Sequence, residues 1–216
     1  KEVRFFNEGP FVRTEIQRYV PFFETDPAQF DFPDDGNAAV VILDCSTQER
    51  VGSFAEVLPE SPIAVIDHHS STERFGDVRY VDAEAASTSV LIQRIIEASE
   101  GEISRDVAEV LLFGLATDTG FFRHLDHGTA DTFRASARLI EAGASPKEIF
   151  DMIYGGKTMA SRKLNARLLE RAQSVGSSVI TWETLADTRE FGRENRDSDT
   201  LYQLLLGTQS CRIVAL

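Results

Sequence analysis

The chain has 216 residues, of which 42% are hydrophobic and 26% are charged, so it can form one large globular domain or one domain with a smaller partner. This composition excludes a disordered chain, a collagen and a coiled coil. The formal net charge of −13 excludes a general nucleic-acid coat protein. Such a charge repels a long polyanion, including long duplex nucleic acid, unless a metal or a local basic patch intervenes.

Acidic residues are concentrated in the first part of the chain. Residues 1–100 hold 19 of the 35 acidic residues but only 8 of the 22 basic ones, so we expect chemistry that needs carboxylates there. Cys45 and Cys211 lie far apart and form no CxxC motif, which suits a reducing, cytoplasmic location. No apolar run approaches the ~20 residues of a membrane helix, so no membrane association is expected.

Two continuous apolar runs predict the central sheet. A strand over 2–6, a short amphipathic helix over 14–23 and an acidic loop over 24–37 precede them. The runs are AAVVILD (38–44) and SPIAVID (61–67). Uninterrupted Val/Ile/Leu strands joined by a helix-length connection are typical of a parallel β-sheet flanked by helices, so the predicted fold class is α/β. Both runs end on Asp, at the edge where open α/β sheets bind ligands.

Helix start signals then recur along the chain, at Ser87, Ser104, Thr129 and the Ser145-Pro146 pair. A further basic helix over 158–174 has the character of a connector. After it the pattern predicts a strand at 177–183, an acidic loop, a helix at 198–207 and a strand at 211–216. The predicted organisation is therefore a first domain over 1–156, a connector helix over 157–174 and the start of a smaller α/β domain over 175–216.

The strongest local signal is Asp67-His68-His69 at the end of the second apolar run. Three ionisable side chains at a strand end are costly to desolvate without a partner, and a divalent metal is a partner that suits imidazole and carboxylate ligands. Asp44 ends the preceding run, and Asp118 ends an apolar helix. Each has an ordinary alternative: a solvated strand end for the triplet, an Asx turn for Asp44, and for Asp118 a polar helix terminus capped by a glycine. Together they predict a metal site.

Other candidate residues are weaker. Arg123, five positions after Asp118, could bind a phosphate bidentately or be an ordinary surface arginine. His124 and His127 are expected at the surface or the substrate edge. Ser87, with its two hydroxyl-bearing neighbours, could bind an anion, although helix capping explains it equally well. GGKT (155–158) lacks the first glycine and the preceding strand of a phosphate-binding loop, so ATP binding there is rejected.

In their order and spacing, VVILDCSTQERVG, IAVIDHHSS, DAEAASTSVL and LLFGLATDTGFFRH resemble the second to fourth motifs of the DHH phosphoesterase superfamily. The TDTGFFR form is closest to the branch of bifunctional oligoribonucleases and pAp phosphatases. The resemblance covers about residues 38–174, and residues 175–216 resemble the opening of the associated substrate-binding domain. It implies a hydrolase with two metal ions, usually Mn²⁺, with Mg²⁺ or Co²⁺ as alternatives.

The resemblance also implies roles for individual residues. Asp44 would bridge the two metal ions, and His68 and Asp118 would complete the set of one of them. His69 would face the substrate phosphate, and Asp67 would orient His68. We name Asp67 and His69 as catalytic candidates, and as substrate-binding candidates Arg123, Ser87 and His124.

Two family motifs are absent. The first motif, which contributes a His and two Asp ligands, should precede residue 2, and the Gly-rich, His-containing motif should come late in the associated domain. Because the chain begins with Lys1 inside an apparent element, we expect that the sequence is incomplete at both ends.

The resemblance implies a cytoplasmic phosphohydrolase of short oligoribonucleotides, and of pAp or linear dinucleotides such as pApA. The alternatives are hydrolysis of polyphosphate or pyrophosphate, and a degenerate nucleotide-binding module without turnover. A homodimer is expected from the resemblance alone.

Overall fold

We describe a computed structural model of the chain over residues 2–33, 37–60, 62–70, 75–99, 101–127 and 129–216. The chain divides into two compact units, residues 1–153 and 154–216. Parts of three predictions lie outside the described residues: the acidic loop over 24–37 includes positions 34–36, the apolar run SPIAVID begins at position 61, and the motif IAVIDHHSS ends at Ser71. Among the described residues, no helix is long and apolar enough to span a bilayer.

The described residues of the first unit form five β-strands: β1 (Phe5–Phe6), β2 (Phe23–Glu24), β3 (Val40–Leu43), β4 (Ile63–Asp67) and β5 (Val78–Val81). The first two form a short parallel pair, and the other three form a parallel sheet in the order β3-β4-β5. The predicted parallel sheet is therefore confirmed, with β5 as a strand that the sequence pattern did not indicate. The segment predicted as an amphipathic helix is a 3-10 helix over Thr14–Phe22, with Pro21 inside it.

Four α-helices follow in the first unit: α1 (Thr88–Ala98), α2 (Arg105–Asp118), α3 (Ala130–Glu141) and α4 (Pro146–Tyr154). The capping signals act as expected in α1 and α2, where the Ser87 and Ser104 hydroxyls accept hydrogen bonds from backbone N–H groups of the first turn. Apolar side chains from all four helices form one core, and its most buried members include Ala108, Leu112, Leu115, Leu139 and Ile149. Helix α1 also packs against β4, which places the helical layer beside the sheet.

The two faces of the sheet differ. Ile42, Ile63 and Val65 are buried on one face, whereas Val41 and Leu43 of β3 are 55% and 49% exposed. We expected a sheet covered on both faces, but the described part of the chain covers one of them only partly. A continuous apolar run predicts a strand that can be buried on both sides, and it does not show which elements cover each side.

The second unit contains α5 (Met159–Arg171), β6 (Gln173–Val175), β7 (Ser178–Ile180), α6 (Leu185–Phe191), α7 (Ser198–Leu206) and β8 (Ile213–Ala215). Its sheet has the order β6-β7-β8, with an antiparallel and a parallel pairing. The helix expected as a connector, α5, supplies Leu164 and Leu168 to the core of this unit.

The predicted acidic loop between the strand at 177–183 and the helix at 198–207 contains α6, so that part of the prediction is wrong. A reciprocal capping box of Thr184 and Asp187 begins this helix. The Thr-x-x-Asp spacing was readable in the sequence as such a start signal.

Asp187 makes the stability of the second unit dependent on pH. Hydrogen bonds from Arg171 and from the Thr184 hydroxyl and backbone hold the pKa of this carboxyl well below its ordinary value of 3.8. Its contribution to stability is complete above that ordinary pKa and is lost as the pH falls below it. We expect the free energy of unfolding to decline below about pH 4. The measurement is the fluorescence of Trp182, the one tryptophan of the chain, which lies in this unit.

The matched variants are Asp187→Asn and Glu190→Gln. Glu190 also pairs with an arginine, Arg167, but its side chain is 54% exposed, so its removal should change the acid dependence less. Asp187→Asn should flatten the slope of unfolding free energy against pH. An unchanged slope in Asp187→Asn would show that other carboxyls control acid unfolding.

Candidate metal centre

The carboxyl ends of β3 and β4 meet at one edge of the sheet. Asp44 follows β3, and its backbone N–H donates to the Ile66 carbonyl at 2.9 Å, so it lies beside the last residues of β4. Asp67, His68 and His69 come from the end of β4 itself. One possible ligand atom from each of Asp44, Asp67, His68 and His69 lies within 4.8 Å of the others, as the sequence predicted for this edge.

His68 is the centre of this cluster. Its Nε2 lies 3.7 Å from Asp44 Oδ1 and 3.7 Å from Asp118 Oδ2, and its Nδ1 lies 3.3 Å from the Ala85 carbonyl oxygen. A carbonyl only accepts hydrogen bonds, so this contact requires a proton on Nδ1, and in a neutral imidazole the Nε2 lone pair would then face the two carboxylates. A hydrogen bond of this kind commonly fixes the tautomer of a metal-binding histidine.

Asp118 is the last residue of α2, and the helix delivers it to His68 from outside the sheet. Burial and the negative charge of Asp44 raise the pKa of its carboxyl, although His68 and His69 act in the opposite direction. The repulsion between the two carboxylates is the electrostatic condition that a bound cation would relieve.

The donor set fits a divalent metal. The separations of 3.7 Å from His68 Nε2 to Asp44 Oδ1 and to Asp118 Oδ2 are too long for hydrogen bonds. Two donor atoms that each lie ~2.1 Å from one ion are separated by up to ~4.2 Å, so these separations suit ligands of a shared ion. Carboxylate oxygens with one imidazole nitrogen are ligands that suit Mn²⁺ and related ions. Asp44, His68 and Asp118 are therefore the residues that could hold a metal here.

Asp67 contacts His69 and not His68, which corrects the orienting role expected for it. Its Oδ1 accepts hydrogen bonds from His69 Nδ1 at 2.7 Å and from the His69 backbone N–H at 3.1 Å. An aspartate that accepts from the backbone N–H two residues on forms an Asx turn, and this turn begins where β4 ends. Asp67 is fully buried. Burial acts to raise the pKa of its carboxyl, but the hydrogen bonds from His69 outweigh it and lower that pKa.

Thr88, one of the hydroxyl-bearing neighbours of Ser87 that the sequence offered only for anion binding, contacts Asp44 instead. Thr88 Oγ1 donates to Asp44 Oδ1 at 2.6 Å, and this is the oxygen that faces His68. Ser87, the predicted substrate contact, is fully buried, and its hydroxyl accepts from the Val90 N–H as the N-cap of α1. The only signal was the run of three hydroxyl residues at a helix start, which does not indicate which hydroxyl reaches the site.

Arg123 and His124 lie in the loop after α2, outside the four-residue cluster. Both are exposed, and Arg123 Nη2 lies 3.3 Å from His124 Nε2. The His124 ring lies against Gly120, where a Cβ would come within 2.6 Å of it, and the φ of Gly120 is +56°. This glycine follows the C-cap of α2, as the sequence indicated. His127 is at the surface beside Asp126.

The chain is similar to several known proteins. The chain is 31% identical over 162 residues to the uncharacterized protein MG371 of Mycoplasma genitalium, an alignment that covers 75% of this chain and 48% of that protein. It is 32% identical over 168 residues to the bifunctional oligoribonuclease and PAP phosphatase NrnA of Thermus thermophilus, covering 78% of this chain and 49% of the relative. No protein-family model matches the chain.

Among solved structures, an exopolyphosphatase-related protein from Bacteroides fragilis matches with a TM-score of 0.71 at 22% identity, over 80% of this chain and 52% of that one. This match shows a shared fold. The chain spans about half the length of the curated relatives it matches.

Proposed function

The chain belongs to the DHH superfamily of phosphoesterases, and on this premise we propose that it hydrolyses phosphate esters of short oligoribonucleotides and of small nucleotides such as pAp and pApA. The observation that carries the proposal is the position of His68 Nε2 between the carboxylates of Asp44 and Asp118, 3.7 Å from each. Relatives named as oligoribonuclease and PAP phosphatase support the choice of substrates.

In this proposal Asp44, His68 and Asp118 hold one divalent ion, and Asp44 is shared with a second. Mn²⁺ is the expected ion, with Mg²⁺ and Co²⁺ as alternatives. When bound, such a pair of ions would polarise the phosphate and favour deprotonation of the attacking water. The chain contributes the fixed ligand positions: Thr88 restrains Asp44, and the Ala85 carbonyl restrains the His68 ring.

His69 is proposed to contact the substrate phosphate. Its Nδ1 is held by Asp67 at 2.7 Å, so Nε2 is the ring nitrogen left to meet a substrate oxygen. A buried carboxylate that holds one ring nitrogen fixes both the orientation and the proton position of an imidazole. Asp67 is therefore a positioning residue for His69 in this proposal.

Arg123 is proposed to bind a further phosphate, with His124 beside it. The net charge of −13 favours short substrates, because every phosphate that extends beyond the metal ions and this arginine meets a negative surface. Ser87 is not proposed as a substrate contact, because its buried hydroxyl is already engaged in capping α1.

The test is a substrate panel measured with the full-length gene product and Mn²⁺: pAp, pApA, a five-nucleotide RNA and pyrophosphate. We expect turnover of at least one of the nucleotide substrates, and loss of that turnover on chelation of the metal. Cleavage of pyrophosphate alone would favour a polyphosphate or pyrophosphate hydrolase. Binding of pApA without any turnover would favour a nucleotide-binding module, and either result would overturn the proposal.

A further inference from the structure

The rings of Phe122 and Phe133 are stacked at the loop that follows α2, and we call this pair the phenylalanine stack. Their centroids are 5.3 Å apart and their planes are inclined by 28°. Phe122 is partly buried, whereas Phe133, on α3, is 52% exposed. A single exposed phenylalanine is ordinary, but an exposed ring that already lies against a second ring presents a flat aromatic surface suited to further stacking.

The backbone fixes this stack to the end of the helix that carries Asp118. The Phe122 N–H donates to Thr119 Oγ1 at 3.0 Å, and that hydroxyl donates to the Leu115 carbonyl at 2.7 Å. Thr119 is buried and directly follows Asp118. The stack is therefore held by the same turn that delivers Asp118 to His68.

The same turn has an unfavourable backbone conformation. Phe121 and Phe122 have φ values of +57° and +70°, in the left-handed region that bulky L-residues rarely adopt. Phe121 packs against the helical core and makes an edge contact with Phe150, with centroids 5.2 Å apart. These contacts hold the turn in its strained conformation, and strained backbone of this kind is concentrated at ligand sites.

Arg123 adds a cation to the same turn. It directly follows Phe122, and among the described residues it forms no ion pair with a carboxylate, although acidic residues outnumber basic ones by 35 to 22 in the chain. An exposed guanidinium without an acidic partner complements a phosphate. An aromatic surface flanked by a cation is the combination with which proteins bind single-stranded nucleotides.

We propose that the phenylalanine stack binds a nucleobase of the substrate, which stacks on Phe133 while Arg123 pairs with the adjoining phosphate. This inference rests on the proposed function and extends it, because it makes the substrate a nucleotide whose base is bound, in contrast to an inorganic phosphate chain. A protein partner fits less well, because a stable interface buries ~800 Å² on each side and two rings flanked by a cation offer far less.

The test compares a substrate with its bases and the same substrate without them. Phe133→Ala, Phe133→Trp and Phe5→Ala are assayed with Mn²⁺ on pApA and on an abasic dinucleotide that carries the same phosphodiester. We expect Phe133→Ala to raise KM for pApA about tenfold with kcat unchanged, and to leave the abasic substrate unaffected. Phe133→Trp should restore the wild-type KM. Phe5→Ala is the matched control, since Phe5 is similarly exposed at 51%, also packs against a second ring and lies on β1, outside the stack and the turn that holds it.

An unchanged KM for pApA, or an equal rise for both substrates, would overturn the inference. So would a change of oligomeric state in Phe133→Ala by sedimentation velocity, with KM unaltered, since the surface would then contact another copy of the chain. Equilibrium binding of pApA with metal omitted separates this inference from the proposed function. If wild type turns over none of the nucleotide substrates of the panel, the proposed function fails, and weaker binding of pApA by Phe133→Ala then decides the role of the stack.

Discussion

Replacement of His68 by alanine is expected to lower kcat/KM by on the order of 10³-fold, because a metal centre supplies several kcal/mol of transition-state stabilisation and each ~1.4 kcal/mol is a factor of ten in rate. His68 Nε2 is the atom that faces both Asp44 and Asp118. Without the imidazole of His68, the carboxylates of Asp44 and Asp118 would have no ligand nitrogen between them. The affinity for Mn²⁺, measured by isothermal titration calorimetry, should fall in parallel.

The matched control is His127→Ala. His127 has a side chain that is 98% exposed and lies outside the cluster, so its removal should leave both the rate and the affinity for Mn²⁺ within about twofold of wild type. The two variants should have similar thermal unfolding in the absence of metal. Equal turnover by His68→Ala and wild type would contradict the assignment of His68 as a ligand.

Thr88→Val is expected to weaken Mn²⁺ binding ~10–100-fold, the usual cost of removing a group that orients a metal ligand. Valine retains the shape of threonine and lacks the hydroxyl that donates to Asp44 Oδ1 at 2.6 Å. Thr88→Ser keeps this donor and should restore most of the affinity. A structural effect of valine alone would not be reversed by serine, which is the smaller residue.

Thr132→Val is the control for Thr88, because both threonines are 7% exposed and Thr132 lies on α3. It should leave the affinity for Mn²⁺ unchanged. The measurement is the free Mn²⁺ signal in electron paramagnetic resonance during a titration, which does not depend on turnover. If Thr88→Val and Thr132→Val bind the ion equally well, Thr88 does not position Asp44.

The sequence was sufficient to predict the parallel sheet and the edge at which the polar residues meet. Continuous apolar runs that both end on Asp determine this much, because parallel strands end at a common edge. The sequence pattern did not predict β5, because Arg79 and Tyr80 interrupt its apolar residues. Helix α6 was not predicted, because the acidic composition of this segment favours a loop, although the sequence contains the capping box that begins the helix.

Side-chain partners were predicted less well than the elements. Asp67 was assigned to its neighbour His68, but it accepts hydrogen bonds from the backbone N–H and the ring of His69 in an Asx turn at the end of β4. Thr88 lies 44 positions from Asp44, and nothing in local sequence spacing links them. The contact depends on how α1 packs against the end of β4, which is a property of the tertiary structure.

The backbone at Asp44 determines which inactive form of the protein is informative. Asp44 has a φ of +64°, a region in which Asn and Asp are several-fold enriched over other non-glycine residues. Alanine there would remove the carboxylate and also strain the turn, so that loss of activity would have two causes. Asparagine there would keep the local hydrogen-bonding character and the left-handed turn while removing the charge. Asp44→Asn is therefore the form in which to trap an uncleaved nucleotide for crystallography.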